Sequence, residues 1–218
     1  MTDNLIIEKA ISELQTKSFG TTQQFLEVHE IEYADNKPKV LRVDTDQEDG
    51  TVIVYFAIKG EKFYLAVYLD TSPEVAVRHV GTEPYNSVYF RATSETMNFE
   101  QLASLTKLKA TNGWNKGDKR KFGNSYHKNS SIHFEPNPEP DEFEDKLMKL
   151  LNFLEQDRQG VTELVDKANG YIQVATVFHN GNTMLGGHHL AKQIIKRLGA
   201  LNLEIDFDLY AEGNFFKD

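Results

Sequence analysis

The only tryptophan of the chain, Trp114, stands near the start of its densest basic segment, which runs from Gly113 to Lys121 as GWNKGDKRK. Between residues 107 and 128 the sequence holds seven lysines and arginines against one acid, a net charge of +6. The whole chain carries −9, so the remainder carries −15. An indole beside clustered cations and turn-forming glycines is suited to binding a phosphate or a carboxylate. The residues predicted to line such an anion site are Trp114, Lys116, Asp118 and Arg120.

A purely structural interpretation of this basic segment stays open. Trp114 would then pack over the edge of the core, Gly117-Asp118 would form a turn, and the lysines would be solvated. The spacing of a Walker A loop, G-x-x-x-x-G-K-[ST], is absent. Phe122 and Tyr126 alternate with the cations, as in proteins that bind nucleic acids, but the −15 of the remaining chain argues against a nucleic-acid partner.

Three acids near the C-terminus alternate with apolar residues from Leu203 to Leu209, which predicts a strand with one buried face. These acids, Glu204, Asp206 and Asp208, would follow one another at about 6.5–7 Å on the other face. That spacing suits the acid and base of a glycosidase. The same row also suits the solvent face of an edge or half-covered antiparallel strand, a strip for a basic partner, or a counterpart to the cations from Lys116 to Lys121.

Other kinds of chemistry lack the residues that they need. The chain has no cysteine, which excludes a disulfide framework, a thiolate nucleophile and a cysteine-ligated metal. Its seven histidines form no H-E-x-x-H pair, and no G-x-S-x-G nucleophile elbow is present. We therefore predict no catalytic residue, no metal site and no cofactor.

Composition places the chain among folded globular proteins, with 218 residues, 39% of them hydrophobic and 26% charged. The N-terminus from Met1 to Leu5 lacks a leader pattern, and no apolar run approaches 18 residues. We expect a cytoplasmic protein without a membrane segment. The length allows one large domain or, as we prefer, two compact ones.

The first part of the chain is predicted to be one helix followed by an antiparallel meander. Leu5, Ile6, Ala10 and Leu14 recur at helical spacing, which predicts a helix over residues 4–17 that ends at Phe19-Gly20. The predicted strands that follow are Phe25–Tyr33, Val40–Val43, Thr51–Ile58, Phe63–Leu69 and Glu74–Val80. Thr51–Ile58 is apolar on both faces, so we expect a central strand covered on both sides. In Phe25–Tyr33, Glu27 and His29 break the alternation, which we attribute to a bulge.

After a break at Gly81–Asn86, strands and helices alternate. The predicted strands are Val88–Thr93, Ser125–Phe134, Tyr171–Phe178 and Leu203–Leu209. The predicted helices are Asn98–Leu105, Phe143–Leu154, Val161–Ala168 and one through Leu190 and Leu198. Asp141 is the predicted cap of the second helix, and a turn at His179–Gly187 precedes the last one. The predicted fold class is therefore α+β. An N-terminal helix plus antiparallel β-meander occupies residues 1–84, and a ferredoxin-like α+β unit occupies residues 85–218; the two sheets are also allowed to merge into one body.

The second unit resembles a bacterial family of domains of unknown function, numbered 4279. The resemblance lies in a first strand and short helix, the motif Trp114-x-Lys116-Gly117-Asp118, the leucine-rich helix Phe143–Leu154 and the closing segment Leu203-x-Ile205-Asp206-x-Asp208-x-Tyr210. It covers residues 85–214, and it implies an α+β fold and a bacterial origin. No activity is assigned to the family, so it implies no catalytic residue.

Two functional hypotheses follow from the sequence. The first is a non-enzymatic binding protein with a protein partner, in its sharpest form an immunity-type inhibitor that covers a basic toxin with its acids. Its contact surface would be Glu204, Asp206 and Asp208, or the acids from Asp44 to Asp49, with Trp114 as an anchor. The alternative is a small-ligand or enzymatic module that binds an anion at Trp114, Lys116, Asp118 and Arg120. A flat acidic surface favours the first hypothesis, and a pocket beside Trp114 favours the second. The sequence leaves the oligomeric state open.

Overall fold

The computed structural model describes residues 3–47, 49–181 and 185–217. The first half of the chain forms two helices, a small hairpin and a four-stranded sheet. The elements are α1 (Asp3–Thr16), α2 (Gly20–Leu26), β1 (Tyr33–Ala34), β2 (Lys37–Pro38), β3 (Val40–Asp44), β4 (Val52–Ala57), β5 (Tyr64–Asp70) and β6 (Ala76–Glu83). The sheet has the order β3-β4-β5-β6, with every neighbouring pair antiparallel, so the predicted helix and meander are confirmed.

The central strand β4 is buried along its whole length, as its two-sided apolar pattern predicts. Val54 and Phe56 lie on the face that packs against Ile6, Ala10 and Leu14 of α1. Alternate residues of β4 form a separate apolar cluster on the other face, with Tyr64 and Ala66 of β5. Burial of large side chains on both faces stabilises the strand by roughly 2 kcal/mol per side chain.

The predicted strand Phe25–Tyr33 is wrong at its start, and only Tyr33 at its end belongs to a strand, β1. Phe25 instead lies in α2, where it and Thr22 are buried one helical turn apart. The carboxylate of Glu13 is buried and accepts hydrogen bonds from Thr22 Oγ1 at 2.6 Å and from the backbone N–H of Phe19 at 3.1 Å. These bonds hold the start of α2 against α1. The broken alternation at Glu27 and His29 thus marked a helix end and a turn, not a bulged strand.

The second half of the chain forms a five-stranded sheet with helices. Its elements are β7 (Tyr85–Ser94), α3 (Phe99–Ala103), β8 (Asn112–Trp114), β9 (Ser130–Phe134), α4 (Phe143–Leu154), α5 (Arg158–Ala168), β10 (Tyr171–His179), α6 (Lys192–Ala200) and β11 (Ile205–Glu212). The strand order is β11-β10-β7-β9-β8. From β7 to β10 the chain follows the β-α-β-β-α-β sequence of a ferredoxin-like unit, with α4 and α5 together in the place of the second helix, and α6 and β11 extend it.

The fifth strand runs parallel to its neighbour. The N–H of Ile172 donates to the carbonyl of Glu204, and the N–H of Asn180 donates to the carbonyl of Glu212, both at 2.9 Å. In both bonds the acceptor residue follows the donor residue by the same number of positions in the sequence. This occurs only when the two strands run in the same direction. Helix α6 supplies the crossover that parallel strands require. The expected antiparallel setting of the last strand is therefore wrong, although β11 is an edge strand as expected.

Several predicted boundaries also change. Gly81–Glu83 belongs to β6 and Tyr85 opens β7, so the predicted break at Gly81–Asn86 is reduced to Pro84. The strand predicted over Ser125–Phe134 begins only at Ser130, and β8 is an additional strand that the sequence pattern did not indicate.

Asp141 does not cap α4, whose N-cap residue is Glu142. Its side chain is instead fully buried, where it accepts hydrogen bonds from Lys149 Nζ and Asn137 Nδ2, each at 2.6 Å. The charge of Lys149 balances this buried carboxylate.

Contacts divide the chain into two compact units. The first unit contains residues 1–85, 176–186 and 209–218, and the second contains residues 86–175 and 187–208. The boundary thus differs from a single cut near residue 84, because the ends of β10 and β11 belong to the first unit. The turn predicted at His179–Gly187 includes residues 182–184, which lie outside the described residues. Among the described residues, no helix combines the length and the apolar character needed to span a bilayer.

Candidate functional site

The two faces of the second unit's sheet differ in chemistry because side chains alternate along each strand. Phe90 and Ala92 of β7 and Ile132 of β9 belong to the apolar core formed with the helices. The residues between them lie on the opposite face, which we call the polar face. It carries Tyr89, Arg91 and Thr93 on β7, Ser131 and His133 on β9, Trp114 on β8, Gln173 on β10, and Asp206 and Asp208 on β11.

A cavity of about 430 Å³ lies on the polar face beside Trp114. We call it the Trp114 pocket; its lining residues are Arg91, Thr93, Trp114, Arg120, His127, Lys128 and Asn129. Three of these side chains are cationic, and no acid lines the cavity. The charge of the lining therefore favours an anionic occupant.

Trp114 is held in a defined position by three contacts. Its indole N–H donates to the carbonyl of Asn129 at 3.1 Å. Its ring stacks on His127 with centroids 4.2 Å apart, and it meets His133 edge to face at 4.7 Å. The preceding residue must be a glycine, because a Cβ on Gly113 would meet the ring of Phe99 and lie 2.6 Å from the carbonyl oxygen of Ser131. The indole is therefore a rigid wall of the pocket.

The segment between β8 and β9 is a hairpin, not an irregular loop. Lys119 and Tyr126 form an antiparallel bridge. The N–H of Arg120 donates to the carbonyl of Ser125, and the N–H of His127 donates to the carbonyl of Asp118, at 2.9 and 2.8 Å. We call residues 115–129 the basic hairpin. It brings Arg120 and Lys128 to the pocket that Arg91 also lines.

Arg91 has a buried guanidinium nitrogen, Nε, that has no hydrogen-bond partner among the described residues. A buried N–H without an acceptor costs about 1–3 kcal/mol, and more when the group is charged. Native proteins seldom keep such a group unless water, an ion or a ligand satisfies it. The orphaned donor of Arg91 thus marks the place where an acceptor would bind.

His133 is held neutral next to this arginine. Burial lowers the pKa of His133 to about 4, and the charges of Arg91 and His127 add to the effect. Its Nε2 lies 2.8 Å from Ser131 Oγ, and its ring stacks on Tyr89 at 5.1 Å. Burial also raises the pKa of the Tyr89 hydroxyl. The floor of the polar face therefore contains neutral imidazole and phenol beside a fixed cation.

The structure separates the four residues predicted around Trp114. Trp114 and Arg120 line the pocket, whereas Lys116 and Asp118 do not. The ammonium group of Lys116 donates to the carbonyl of Glu95 at 3.3 Å. The carboxylate of Asp118 accepts from the N–H of Asn115 at 2.7 Å and closes the turn in which Gly117 adopts a φ of 90°. Asp118 and Gly117 thus build the hairpin, as the structural interpretation of the segment states.

The predicted acids lie at the opposite edge of the same polar face. Glu204 and Asp206 line a second depression of about 650 Å³, together with Tyr171 and the helix-ending residues Asn169 and Asn202. Asp208 accepts a hydrogen bond from Gln173 Nε2 at 3.2 Å. No ion pair joins these acids to the cations from Lys116 to Lys121 among the described residues. Glu204, Asp206 and Asp208, which we call the acid row, therefore form an acidic surface that is separate from these cations.

The other acids suggested as a contact surface are mainly structural. Asp44 is buried and pairs with Arg42 at 3.1 Å. Asp49 pairs with Arg78 at 2.8 Å, and its hydrogen bonds to Thr51 and Arg78 lower the pKa of its carboxyl. Glu48 lies outside the described residues. The described members of this group thus stabilise the first sheet, except for the exposed Asp46.

Sequence reasoning missed Arg91, Thr93, His127, Lys128 and Asn129 as lining residues. The signal for Arg91 and Thr93 was the alternation Tyr89-Phe90-Arg91-Ala92-Thr93, which puts polar residues on one face of β7. Nothing in that pattern shows that β7 is a neighbour of β9, so the approach to Trp114 could not be predicted from it.

A second buried polar cluster lies in the first unit. His29 Nε2 is 2.9 Å from His179 Nε2, which in turn is 2.9 Å from the carbonyl oxygen of Asn214. Burial lowers the pKa of both histidines. Among the described residues, no group of three or more histidine, aspartate or glutamate side chains is arranged to hold a metal ion.

Comparison with known proteins gives one match. Residues 82–212, more than half of the chain, match the model of a family described as a domain of unknown function, DUF4279. No curated protein sequence and no solved structure matches the chain. The matched range includes every residue of the Trp114 pocket and the acid row. The chain therefore belongs to the DUF4279 family.

Proposed function

We propose that the second unit is a binding module for an anionic ligand, which enters the Trp114 pocket. The observation that carries the proposal is the buried Nε of Arg91, which lacks an acceptor in a cavity lined by two further cations. An oxyanion at this position would accept from the Arg91 guanidinium in charge-assisted hydrogen bonds, which are about twice as strong as neutral ones.

The geometry also suggests what else the ligand carries. Trp114 and His127 form a stacked aromatic wall at the pocket, and Thr93 and Asn129 add neutral polar groups. A ligand with an apolar or planar part next to its phosphate or carboxylate would use both the wall and the cations. Pockets of this size and mixed lining are typical of small-molecule sites.

Intrinsic fluorescence tests this proposal, because Trp114 is the only tryptophan. Purified protein is titrated with inorganic phosphate, pyrophosphate and citrate, and its emission is followed. We expect saturable binding of at least one anion, and a loss of roughly tenfold or more in affinity for Arg91→Met. The control variant is Lys196→Met, which removes an exposed cation from α6 away from the pocket. Absence of saturation with all three anions, or equal affinities for both variants, contradicts the proposal.

A second candidate function rests on the acid row. Asp206 on the edge strand β11 and Glu204 just before it are exposed, and both line the depression of about 650 Å³ beside Tyr171. This arrangement would suit the basic side chains of a protein partner, as in an immunity-type inhibitor of a toxin.

Binding to the purified products of neighbouring genes tests this second candidate. A basic partner should be bound by the wild type and lost by the triple variant Glu204→Gln, Asp206→Asn, Asp208→Asn. Glu8→Gln, Glu100→Gln, Asp166→Asn makes the same change in charge at exposed sites elsewhere. Equal binding of a partner by both triple variants rules out the acid row as its contact surface.

A further inference from the structure

We infer that the anionic ligand is a segment of single-stranded nucleic acid, which places one phosphate in the Trp114 pocket and stacks its bases on the tip of the basic hairpin. This inference rests on the proposed anion site and names its ligand class. The inference follows from the shape and the exposure of the basic hairpin, residues 115–129, most of which do not line the pocket.

Two aromatic side chains near the tip of the hairpin are largely exposed. Phe122 is 79% exposed and Tyr126 is 62% exposed, although both are large and apolar. Burying such a ring on another surface is favourable by roughly 2 kcal/mol, so two exposed rings on one hairpin favour a contact there. Each ring offers a face on which a base can stack, in the way that proteins bind single strands without sequence preference.

Cations surround these rings. Lys119, Arg120, Lys121 and Lys128 are exposed, and no described acid lies within ion-pair distance of them. The ammonium nitrogen of Lys121 lies 5.8 Å from the centre of the Phe122 ring. A base on Phe122 would thus have a cation at hand for its phosphate, which is the combination that nucleic-acid grooves use.

The pocket and the hairpin tip form one continuous path. Arg120 and Lys128 line the pocket and also belong to the two strands of the hairpin. The bridge between Lys119 and Tyr126 joins these two strands close to the tip, where Phe122 lies. A backbone phosphate held by Arg91, Arg120 and Lys128 would therefore leave its neighbouring nucleotides over the exposed rings.

The acids Glu204, Asp206 and Asp208 lie too far from the hairpin to oppose this path strongly. The acid row lies on β11 and the hairpin follows β8, at opposite edges of the five-stranded sheet. Four strand spacings of about 4.8 Å separate those edges, or roughly 19 Å. That distance is about twice the Debye length of ~8 Å at physiological salt, so the acids are largely screened from the hairpin. The local charge of +6 in the window around Trp114 favours the approach of a polyanion.

A single strand fits this surface better than a duplex or an acidic protein. The bases of a duplex are stacked on one another and present no free face to Phe122 and Tyr126. An acidic protein surface would use the cations but has no stacking use for two exposed rings. The aromatic rings are therefore the feature that separates these partners in an experiment.

The test uses the full chain and a labelled oligothymidylate of about 12 nucleotides. Fluorescence anisotropy gives its affinity, and the Trp114 titration gives the affinity for pyrophosphate in the same buffer. We expect the oligonucleotide to bind more tightly than pyrophosphate, with an affinity that falls steeply as salt rises. An oligoribonucleotide of uridine and a DNA duplex of equal length show whether the sugar or the strand number matters.

Two variants separate the inference from the proposed function. Phe122→Ser with Tyr126→Ser removes only exposed rings, so the fold is kept, and circular dichroism melting checks this. We expect this variant to lose roughly tenfold or more in oligonucleotide affinity while pyrophosphate binds as in the wild type. Arg91→Met should weaken both ligands.

Other outcomes contradict either the nucleic-acid inference or the proposed anion site. If pyrophosphate binds but the oligonucleotide binds no tighter, or if the aromatic variant binds it equally well, the nucleic-acid inference is wrong and the anion site stands. If the oligonucleotide, phosphate, pyrophosphate and citrate all fail to bind, the proposed function fails as well. If polyglutamate binds as tightly as the oligonucleotide and ignores the aromatic change, the hairpin is a protein-binding surface.

Discussion

Arg91 on β7 and His133 on β9 are direct partners across an antiparallel ladder, so a permanent cation faces a buried imidazole. Like charges repel, and burial disfavours a charged ring, so this pairing keeps His133 neutral. The same pairing leaves the guanidinium without a carboxylate neighbour in the pocket lining. In the proposed function, an anion from outside the chain supplies the missing counter-charge.

Acid is expected to destabilise the second unit through His133. The pKa of His133 is about 4 in the folded protein, against 6.5 for an ordinary histidine. Between these pH values the unfolded chain binds a proton that the folded chain does not, so the free energy of unfolding falls as the pH drops. The loss is on the order of 3 kcal/mol once the pH is below 4. Urea unfolding at a series of pH values measures it.

His133→Gln is the matched variant for this pH dependence, because glutamine does not titrate. Its free energy of unfolding should vary less with pH than that of the wild type. Part of the slope should remain, since burial also lowers the pKa of His29, His179 and His188. Identical pH profiles for both proteins would show that His133 is not the group responsible.

Ligand binding should raise the pKa of His133. An anion beside Arg91 offsets the positive charge that now opposes protonation, and it adds a charge that favours the imidazolium. NMR titration of the histidine side chains with and without saturating pyrophosphate measures the shift. The distant His189, which is exposed, serves as the internal control. A His133 pKa that does not respond to a bound anion would place that anion elsewhere.

Gly113→Ala should destabilise the protein by about 1–3 kcal/mol. The added methyl group would press on Phe99 and on the carbonyl of Ser131, both of which belong to packed elements. Gly199→Ala is the control, because nothing lies within 4 Å of its Cβ position in α6. That variant should be stabilised by up to ~1 kcal/mol. Thermal unfolding compares the two; equal effects would show that Phe99 can move aside.

Asp141 and Lys149 should respond unequally to truncation. Asp141→Ala removes a buried acceptor of three hydrogen bonds, from Asn137 Nδ2, Lys149 Nζ and the N–H of Glu142, so we expect a loss of about 2–4 kcal/mol. Lys149→Ala removes a half-exposed ammonium group and leaves the buried carboxylate of Asp141 without this counter-charge. Asn137 and the N–H of Glu142 still donate to that carboxylate, so the loss should be smaller. The double variant Asp141→Ala, Lys149→Ala completes a double-mutant cycle that measures the coupling of the two residues. Strictly additive effects would contradict the ion pair.

Removal of His127 should loosen the wall of the pocket. His127→Ala ends the stack on Trp114, a contact worth roughly 1 kcal/mol. The indole should become more exposed, so its emission maximum should move to longer wavelength. His189→Ala changes an exposed histidine and should leave the emission unchanged. Unchanged emission in both variants would show that Asn129 and His133 suffice to hold the ring.

Local patterns determined much of the architecture. The apolar spacing of α1 and α4, and the two-sided apolar run of β4, are properties of neighbouring residues, so they predicted those elements correctly. The exception is instructive: Phe25 has the residue type of a strand, but a buried carboxylate of another helix, Glu13, holds its segment in a helix.

The sequence alone predicted only some of the residues of the site. The amino-acid order by itself placed an indole, a turn at Gly117-Asp118 and a set of cations in one short segment, and it placed the acids in a row, because these depend on local spacing. Only the tertiary structure decided that β9 lies between β7 and β8, which brings Arg91 to Trp114 and leaves its Nε without an acceptor. Strand order is set by packing over the whole sheet, so no local pattern could supply it.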